Sequence, residues 1–268
     1  MNTTFGFIGT GNMGSALARS AAKTLDNTRL LLSDSYAPVA EKVAGELGCK
    51  AVSVETVAQT AGFIFLGVKP QVMGAMLSGI APILKARTDD FVLISMAAGV
   101  AMADIQKMAG GNYPVIRIMP NIPVSVGGGV ILFDTTETVT EEAITCFQTT
   151  MAQAGIIDRL PEKLIDAGSA LSGCGPAFVS LFVEALADGA VACGLPRGQA
   201  LIFAAQTVAG TAKMLLESGQ HPGALKDAVC SPGGSTIAGV AALEQGAFRA
   251  SVMEAVASAY QRTLELGK

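Results

Sequence analysis

Two short stretches of the chain combine glycine with groups suited to holding an anion. The first, GFIGTGNMG at residues 6–14, sets Gly9, Gly11 and Gly14 at the G-x-G-x-x-G spacing. That spacing serves a dinucleotide when a strand precedes it and a helix follows. The first glycine permits a tight turn, the second lets the backbone approach a pyrophosphate, and the third lets the helix pack on the strand. Free N–H groups at the start of that helix favour the phosphates. The second stretch, VCSPGGSTIAG at residues 229–239, places a cysteine, three hydroxyls, a proline and two adjacent glycines between alanine-rich runs. Such a loop either caps a helix or offers hydroxyls and successive N–H groups to a ligand anion.

Three further segments stand where a nucleotide would need them. Asp34 follows the last glycine by about 20 residues, where an acid holds the ribose 2′-hydroxyl of NAD and repels the 2′-phosphate of NADP. Ser33 and Ser35 flank it and suit a phosphate if the carboxylate turns away, so this pattern leaves NADH and NADPH both open. GVKPQVM (67–73) and SMAAG (95–99) each end an apolar run. Lys69 either touches the cofactor or lies in a solvated turn, and Ala97, Ala98 and Gly99 leave room for a nicotinamide or ribose.

Proton-transfer and metal chemistry are poorly provided for. The one histidine, His221 in GQHPG, reads as a turn before a helix, and a catalytic triad needs a base beside its nucleophile. Cys174 in SGCGPAF reads as a tight helix start, with no basic partner in view. A lone histidine and unpaired cysteines supply no ligand cluster, so no metal is expected. Hydride transfer suits this set of residues, because the nicotinamide carries the reaction and the protein supplies position and electrostatics. An alkoxide forming from a ketone needs a proton donor; a protonated cyclic imine does not.

The elements that must position these groups change character near residue 160. From Phe5 onward the apolar runs FGFIG, RLLLS, GFIFLGV, FVLISMAAG and PVIRIMP alternate with helix-compatible sequence, the cadence of βαβ units. Continuous rather than alternating apolar runs predict strands covered on both faces, as in a parallel sheet. The expected architecture is therefore α/β: a Rossmann-type, doubly wound, mainly parallel sheet over 1–160, then an all-α domain over 161–268. In that second half Ser180, Glu184 and Asp188 form one narrow polar stripe on a helix otherwise apolar all round. The next helix opens with Pro196 in its first turn and keeps Gln199, Gln206 and Lys213 to one side. Such helices suit the middle of a homodimer.

Composition agrees. Half of the 268 residues are hydrophobic and 15% are charged, with mean hydropathy +0.48, so apolar surface must be hidden somewhere. The most apolar long window, Pro176 to Leu195, carries Glu184 and Asp188 near its middle, which argues against a membrane span. A net charge of −4 argues against a nucleic-acid partner. Cys49, Cys146, Cys174, Cys193 and Cys230 show no paired spacing, and with no secretory pattern at Phe5 to Gly9 the expected compartment is the cytoplasm.

The segments FIGTGNMG, VKP, SMAAG, RIMPNIPVSVGGG, LSGCGPAF, EALADGAVACGLPR and HPGALKDAVCSPGGST, in this order and spacing, closely resemble those of the pyrroline-5-carboxylate reductases along essentially the whole chain. Departures are small: Ile122 where Thr is usual, Cys174 where Ser or another small residue is usual, Ser235 where Thr or Ala is common. The resemblance implies NAD(P)H-dependent reduction of L-1-pyrroline-5-carboxylate to L-proline, the last step of proline biosynthesis, by hydride transfer to a protonated cyclic imine. It also implies homodimers gathered into a larger ring such as a decamer.

Carried over by residue, the resemblance assigns the cofactor to Ile8, Gly9, Thr10, Gly11, Asn12 and Met13, to Val68, Lys69 and Pro70, and to Met96, Ala97 and Ala98. It assigns the substrate carboxylate to Ser231, Gly233, Gly234, Ser235 and Thr236, brought to the nicotinamide across the dimer interface, with the Thr236 hydroxyl on the ring nitrogen. Glu162 matches a substrate-proximal acid in some relatives, or is a first-turn charge favoured by the helix dipole. Asn121 shapes the nicotinamide pocket, or makes an Asn-type turn between two prolines. Two rivals stay open: a β-hydroxyacid dehydrogenase-like enzyme using Lys163, and a nucleotide-sensing protein without turnover.

Overall fold

The computed structural model describes residues 3–266 and divides into two compact units, one running to Gly173 and taking in the chain's end from Tyr260, the other Cys174–Ala259. The first unit opens with β1 (Phe5–Ile8), α1 (Asn12–Ala21), β2 (Leu30–Ser33), α2 (Ala37–Leu47), β3 (Lys50–Ala51) and α3 (Val54–Thr60). It continues with β4 (Phe63–Leu66), α4 (Pro70–Ala86), β5 (Val92–Ser95), α5 (Met102–Ala109) and β6 (Val115–Pro120). Then come β7 (Gly129–Thr135), α6 (Glu141–Met151), β8 (Gly155–Arg159) and α7 (Glu162–Ser172).

The eight strands form one sheet in the order β3-β2-β1-β4-β5-β6-β7-β8. All neighbours through β6 are parallel, β7 is antiparallel to β6, and β8 is parallel to β7. The chain leaves β1 toward β2 and β3, then returns past β1 to β4, so the order reverses where β1 meets β4. A ligand crevice opens at the carboxyl ends of the strands at such a reversal.

Every residue of β1, β2, β4, β5 and β6 is buried, because helices cover both faces and alternate side chains feed separate cores. Phe5, Phe7, Phe63 and Phe65 share one face, with Phe7 stacked on Phe65 at 4.2 Å and Phe5 on Phe63 at 4.5 Å. Ile8, Ile64 and Leu66 face the other way, against Met73, Leu77 and Ile80 of α4. Burying each such side chain contributes roughly 1.5–3 kcal/mol.

Three strands lie outside the expected set. β3 is a two-residue exposed edge. β7 follows β6 directly through the short 3-10 turn Ile122–Val126, with no helix between them, and β8 alternates in exposure rather than being buried throughout.

The last strand ends at Arg159 and helices alone follow from Glu162, where the sequence changes character, but the first compact unit extends beyond that point. α7 stays with the sheet: Ile165 packs on Met119 and Leu132, Asp166 pairs with Arg117 at 2.8 Å, and Asn121 Nδ2 donates to the Ser172 carbonyl at 2.8 Å. These ties carry the first unit to Gly173.

The second unit is helical: α8 (Gly175–Ala192), α9 (Arg197–Ser218), α10 (Pro222–Val229), α11 (Ser235–Gln245) and the start of α12 (Phe248–Leu266). Pro196 caps α9 rather than lying in its first turn. His221 caps α10, its Nδ1 accepting from the Gly223 N–H at 3.0 Å, and Cys174 stands at the cap of α8. On the polar stripe of α8, Ser180 donates to the Pro176 carbonyl and Asp188 pairs with Arg197. The buried cluster between α8 and α9 consists of Ala187, Ala200 and Ala204. Large apolar side chains stand exposed around it, Leu181, Ile202, Leu216 and Met253 each by two-thirds or more. Among the described residues one helical stretch, Glu162–Ala192, is long and apolar enough by length and composition to cross a membrane; it spans the change of unit at Gly173–Cys174.

Candidate functional site

The turn after β1 is built by backbones in contact. Gly9 has φ +97°, its N–H donates to the Ser33 carbonyl at 2.8 Å, and the Gly67 N–H donates to the Ile8 carbonyl at 2.7 Å. A Cβ at Gly9 would stand 2.5 Å from the Gly67 oxygen, and one at Gly14 would stand 2.1 Å from the Gly9 oxygen. At Gly11, by contrast, an added Cβ meets nothing within 4 Å. Gly11 is the cap of α1, with no side-chain cap bond and no acid in the first turn. The N–H groups of Asn12, Met13 and Gly14 therefore open the helix bare, as an anion site requires.

Beside this turn lies a cleft of about 950 Å³. It is lined by Ile8, Gly9 and Gly11 of the turn, by Ser33, Asp34 and Ser35 after β2, and by Val68 and Lys69 before α4. Three segments far apart in the chain thus meet at the reversal of strand order. Pro70 is the first residue of α4, and Met96, Ala97 and Ala98 leave the carboxyl end of β5, one strand beyond, where Ala97 is buried and its N–H donates to Ser95 Oγ at 3.4 Å. The cleft also takes in Glu41, Ser53, Glu55 and Gly67. Of these, Gly67 had a readable signal, a glycine closing an apolar run; Glu41 and Glu55 look like ordinary helix-surface charges.

Asp34 is held firmly. Its Oδ2 accepts from the Thr10 N–H at 2.8 Å and the Thr10 hydroxyl at 3.2 Å, and its Oδ1 accepts from the Tyr36 N–H at 3.0 Å and the Ser35 hydroxyl at 3.5 Å. Burial works against the charge, but the N–H groups of Tyr36 and Thr10 and the two hydroxyls outweigh it and keep the carboxyl below its usual range.

Two other expected site residues are engaged in the fold of the first unit. Asn121 accepts from the Val130 N–H at 2.8 Å and donates to Ser172. Glu162 accepts from the Met102 N–H, at the start of α5, at 2.8 Å, and lies 3.4 Å from Arg117. Neither lines the cleft.

In the second unit the 231–236 segment joins α10 to α11. Gly233 has φ +70°, the Gly234 N–H donates to the Ser231 carbonyl at 3.0 Å, and α11 begins at Ser235 with Gly234 as a cap that contributes no side-chain bond. The first turn holds no acid. Ser231, Ser235 and Thr236 are exposed, so hydroxyls and bare N–H groups gather at one helix start.

Comparison with known proteins gives this arrangement its family. Residues 162–266 match the model for pyrroline-5-carboxylate reductase dimerisation, and residues 4–99 match that described as NADP oxidoreductase coenzyme F420-dependent. A pyrroline-5-carboxylate reductase of Escherichia coli (strain K12) is 40% identical, with 100% of each chain covered. The chain belongs to the pyrroline-5-carboxylate reductase family. Among solved structures, the pyrroline-5-carboxylate reductase of Coxiella burnetii superimposes with TM-score 0.92 at 30% identity over 100% of both chains. That of Plasmodium falciparum, with NADP bound, gives 0.86 at 32% identity over 99% of this chain and 98% of its own.

As a pyrroline-5-carboxylate reductase family member the protein is an oxidoreductase acting on a small molecule, and its dimerisation region marks it as a homo-oligomer, consistent with the uncovered apolar faces of α8, α9 and α12. Family membership does not point to Arg117. Its buried guanidinium pairs with Asp166 and Glu162 and leaves Nε without a partner, fixing α7 on the sheet. An arginine inside the apolar run PVIRIMP was the available signal, since a buried charge must be paired.

Proposed function

We propose that this enzyme reduces L-1-pyrroline-5-carboxylate to L-proline with NAD(P)H, as the last step of proline biosynthesis in the cytoplasm. The observation that carries the proposal is the first turn, where Gly9, Gly14 and Gly67 leave no room for a side chain while Gly11 and the bare start of α1 stand open to a pyrophosphate. Residues Ile8–Gly14 would hold the phosphates, Ser33–Ser35 the adenosine ribose, and Val68–Pro70 with Met96–Ala98 the nicotinamide half. When bound, the reduced nicotinamide supplies a hydride.

The chain's own part is binding, orientation and charge. The N–H groups of Ser235 and Thr236 and the hydroxyls of Ser231 and Ser235 hold the substrate carboxylate at the start of α11, with Gly233 and Gly234 shaping the turn before them. Thr236 hydrogen-bonds the ring nitrogen and fixes which carbon is presented. The imine arrives protonated, so addition leaves a neutral amine and the residues have no proton to deliver. His221, whose Nδ1 caps α10, fits that absence. The first unit is thus the nucleotide-binding part, the helical region carries substrate binding and association, and the dimers gather into a larger ring such as a decamer.

Purified protein mixed with L-1-pyrroline-5-carboxylate and NADH or NADPH is expected to consume the reduced-nicotinamide absorbance and to yield proline. Absence of both changes with either nucleotide would remove the proposal.

A further inference from the structure

The three-sided cleft of the first unit holds an uneven set of charges. Its lining includes the acids Asp34, Glu41 and Glu55 and a single cation, Lys69. Lys69 follows β4 and Asp34 follows β2, with β1 between them, so the two strand ends are roughly 10 Å apart. Around Asp34 itself there is no lining arginine or lysine.

Several of the donors that could replace a cation there are also spent. The Tyr36 N–H, just before α2, is given to Asp34 Oδ1, Pro38 has no N–H, and the Val39 N–H donates to the Tyr36 carbonyl at 3.0 Å. Of the flanking serines, Ser33 is buried and Ser35 points its hydroxyl at Asp34. The Thr10 N–H, which belongs to the glycine turn, is committed to the same carboxylate. The Thr10 and Tyr36 N–H groups and the Ser35 hydroxyl, which could have received an extra phosphate, are therefore turned onto an ionised acid, and Glu41 of α2 lines the same cleft.

From this arrangement we infer that Asp34, pinned by Thr10 and Tyr36 and reinforced by Glu41, makes this enzyme select NADH over NADPH. The inference rests on the dinucleotide reading of the cleft. A ribose 2′-hydroxyl donates to a carboxylate; a 2′-phosphate brings about two negative charges to a wall with no cation to receive them. The nucleotides are otherwise identical, so the discrimination must arise at this wall.

Calorimetric titration of the full-length protein with NADH and with NADPH, in the absence of substrate, tests it. NADH is expected to bind roughly tenfold more tightly, with the ratio shrinking as salt screens the repulsion. Asp34→Ser is expected to close that gap by strengthening NADPH binding. Glu41→Gln, an exposed helix substitution that spares the Thr10 contacts, is expected to narrow it severalfold. The inference is overturned if the unaltered protein binds NADPH as tightly as NADH, or if neither substitution moves the ratio. Turnover separates this from the function itself: reduction of the imine with NADPH preferred ends the selectivity inference and keeps the reductase, whereas tighter NADH binding without any reduction does the reverse.

Discussion

The two bare helix starts, before α1 and before α11, for which we propose the same chemical task of holding an anion, are built by different means. At α1 two of the glycines are demanded by neighbouring backbone: the Gly14 position lies against the Gly9 carbonyl and Gly9 against Gly67, beside the strands β1, β2 and β4, which are buried along their whole length. At α11 no backbone presses on the turn in this way. Gly233 has open space around it and takes a left-handed φ, and what stands nearest Gly234 is the Ser231 side chain. The first site is imposed by tertiary packing, the second by the conformation of a few adjacent residues. Substitutions should therefore damage folding at one and chemistry at the other.

The sharpest break of that contrast would come from Gly14→Val. Its side chain must displace the Gly9 carbonyl, which is expected to cost about 3 kcal/mol of stability and to abolish nucleotide binding, read by urea unfolding and calorimetry. Gly11→Ala beside it should leave the unfolding midpoint unchanged while weakening the nucleotide; equal losses of stability in both variants would dissolve the distinction. Next in size, Thr236→Ala is expected to lower turnover about 100-fold with the nucleotide dissociation constant unaltered. Unchanged turnover would take Thr236 out of the reaction.

Smallest is a pH effect at Asp34. Folding lowers its carboxyl pKa, so its contribution is complete above the unfolded value of about 3.9 and disappears as pH falls through the lower folded value. Unfolding midpoints measured from neutrality to pH 3 should therefore fall less steeply for Asp34→Asn than for the unaltered protein in the acid range. Parallel curves would show the Thr10 and Tyr36 bonds contribute nothing to the fold.

Much of this was legible because the signals are local. Five strands announced themselves as continuous apolar runs, and Gly9, Gly11 and Gly14 by spacing between a strand and a helix. β7 and β8 escaped because a βαβ cadence expects a helix after each strand, whereas GVILFDT returns directly through a 3-10 turn and GIIDR alternates. Which way the Asp34 carboxylate points, and so which nucleotide it suits, depends on Thr10, 24 residues away. Glu162 and Asn121 were ambiguous for the same reason: their partners Met102, Arg117, Val130 and Ser172 are brought to them by the sheet.

A helical unit whose buried centre is three alanines has almost nothing of its own to melt. Its integrity must come from contact with another copy, so the melting temperature should climb as the solution is made more concentrated, and dilution should act on this enzyme as a mild denaturant.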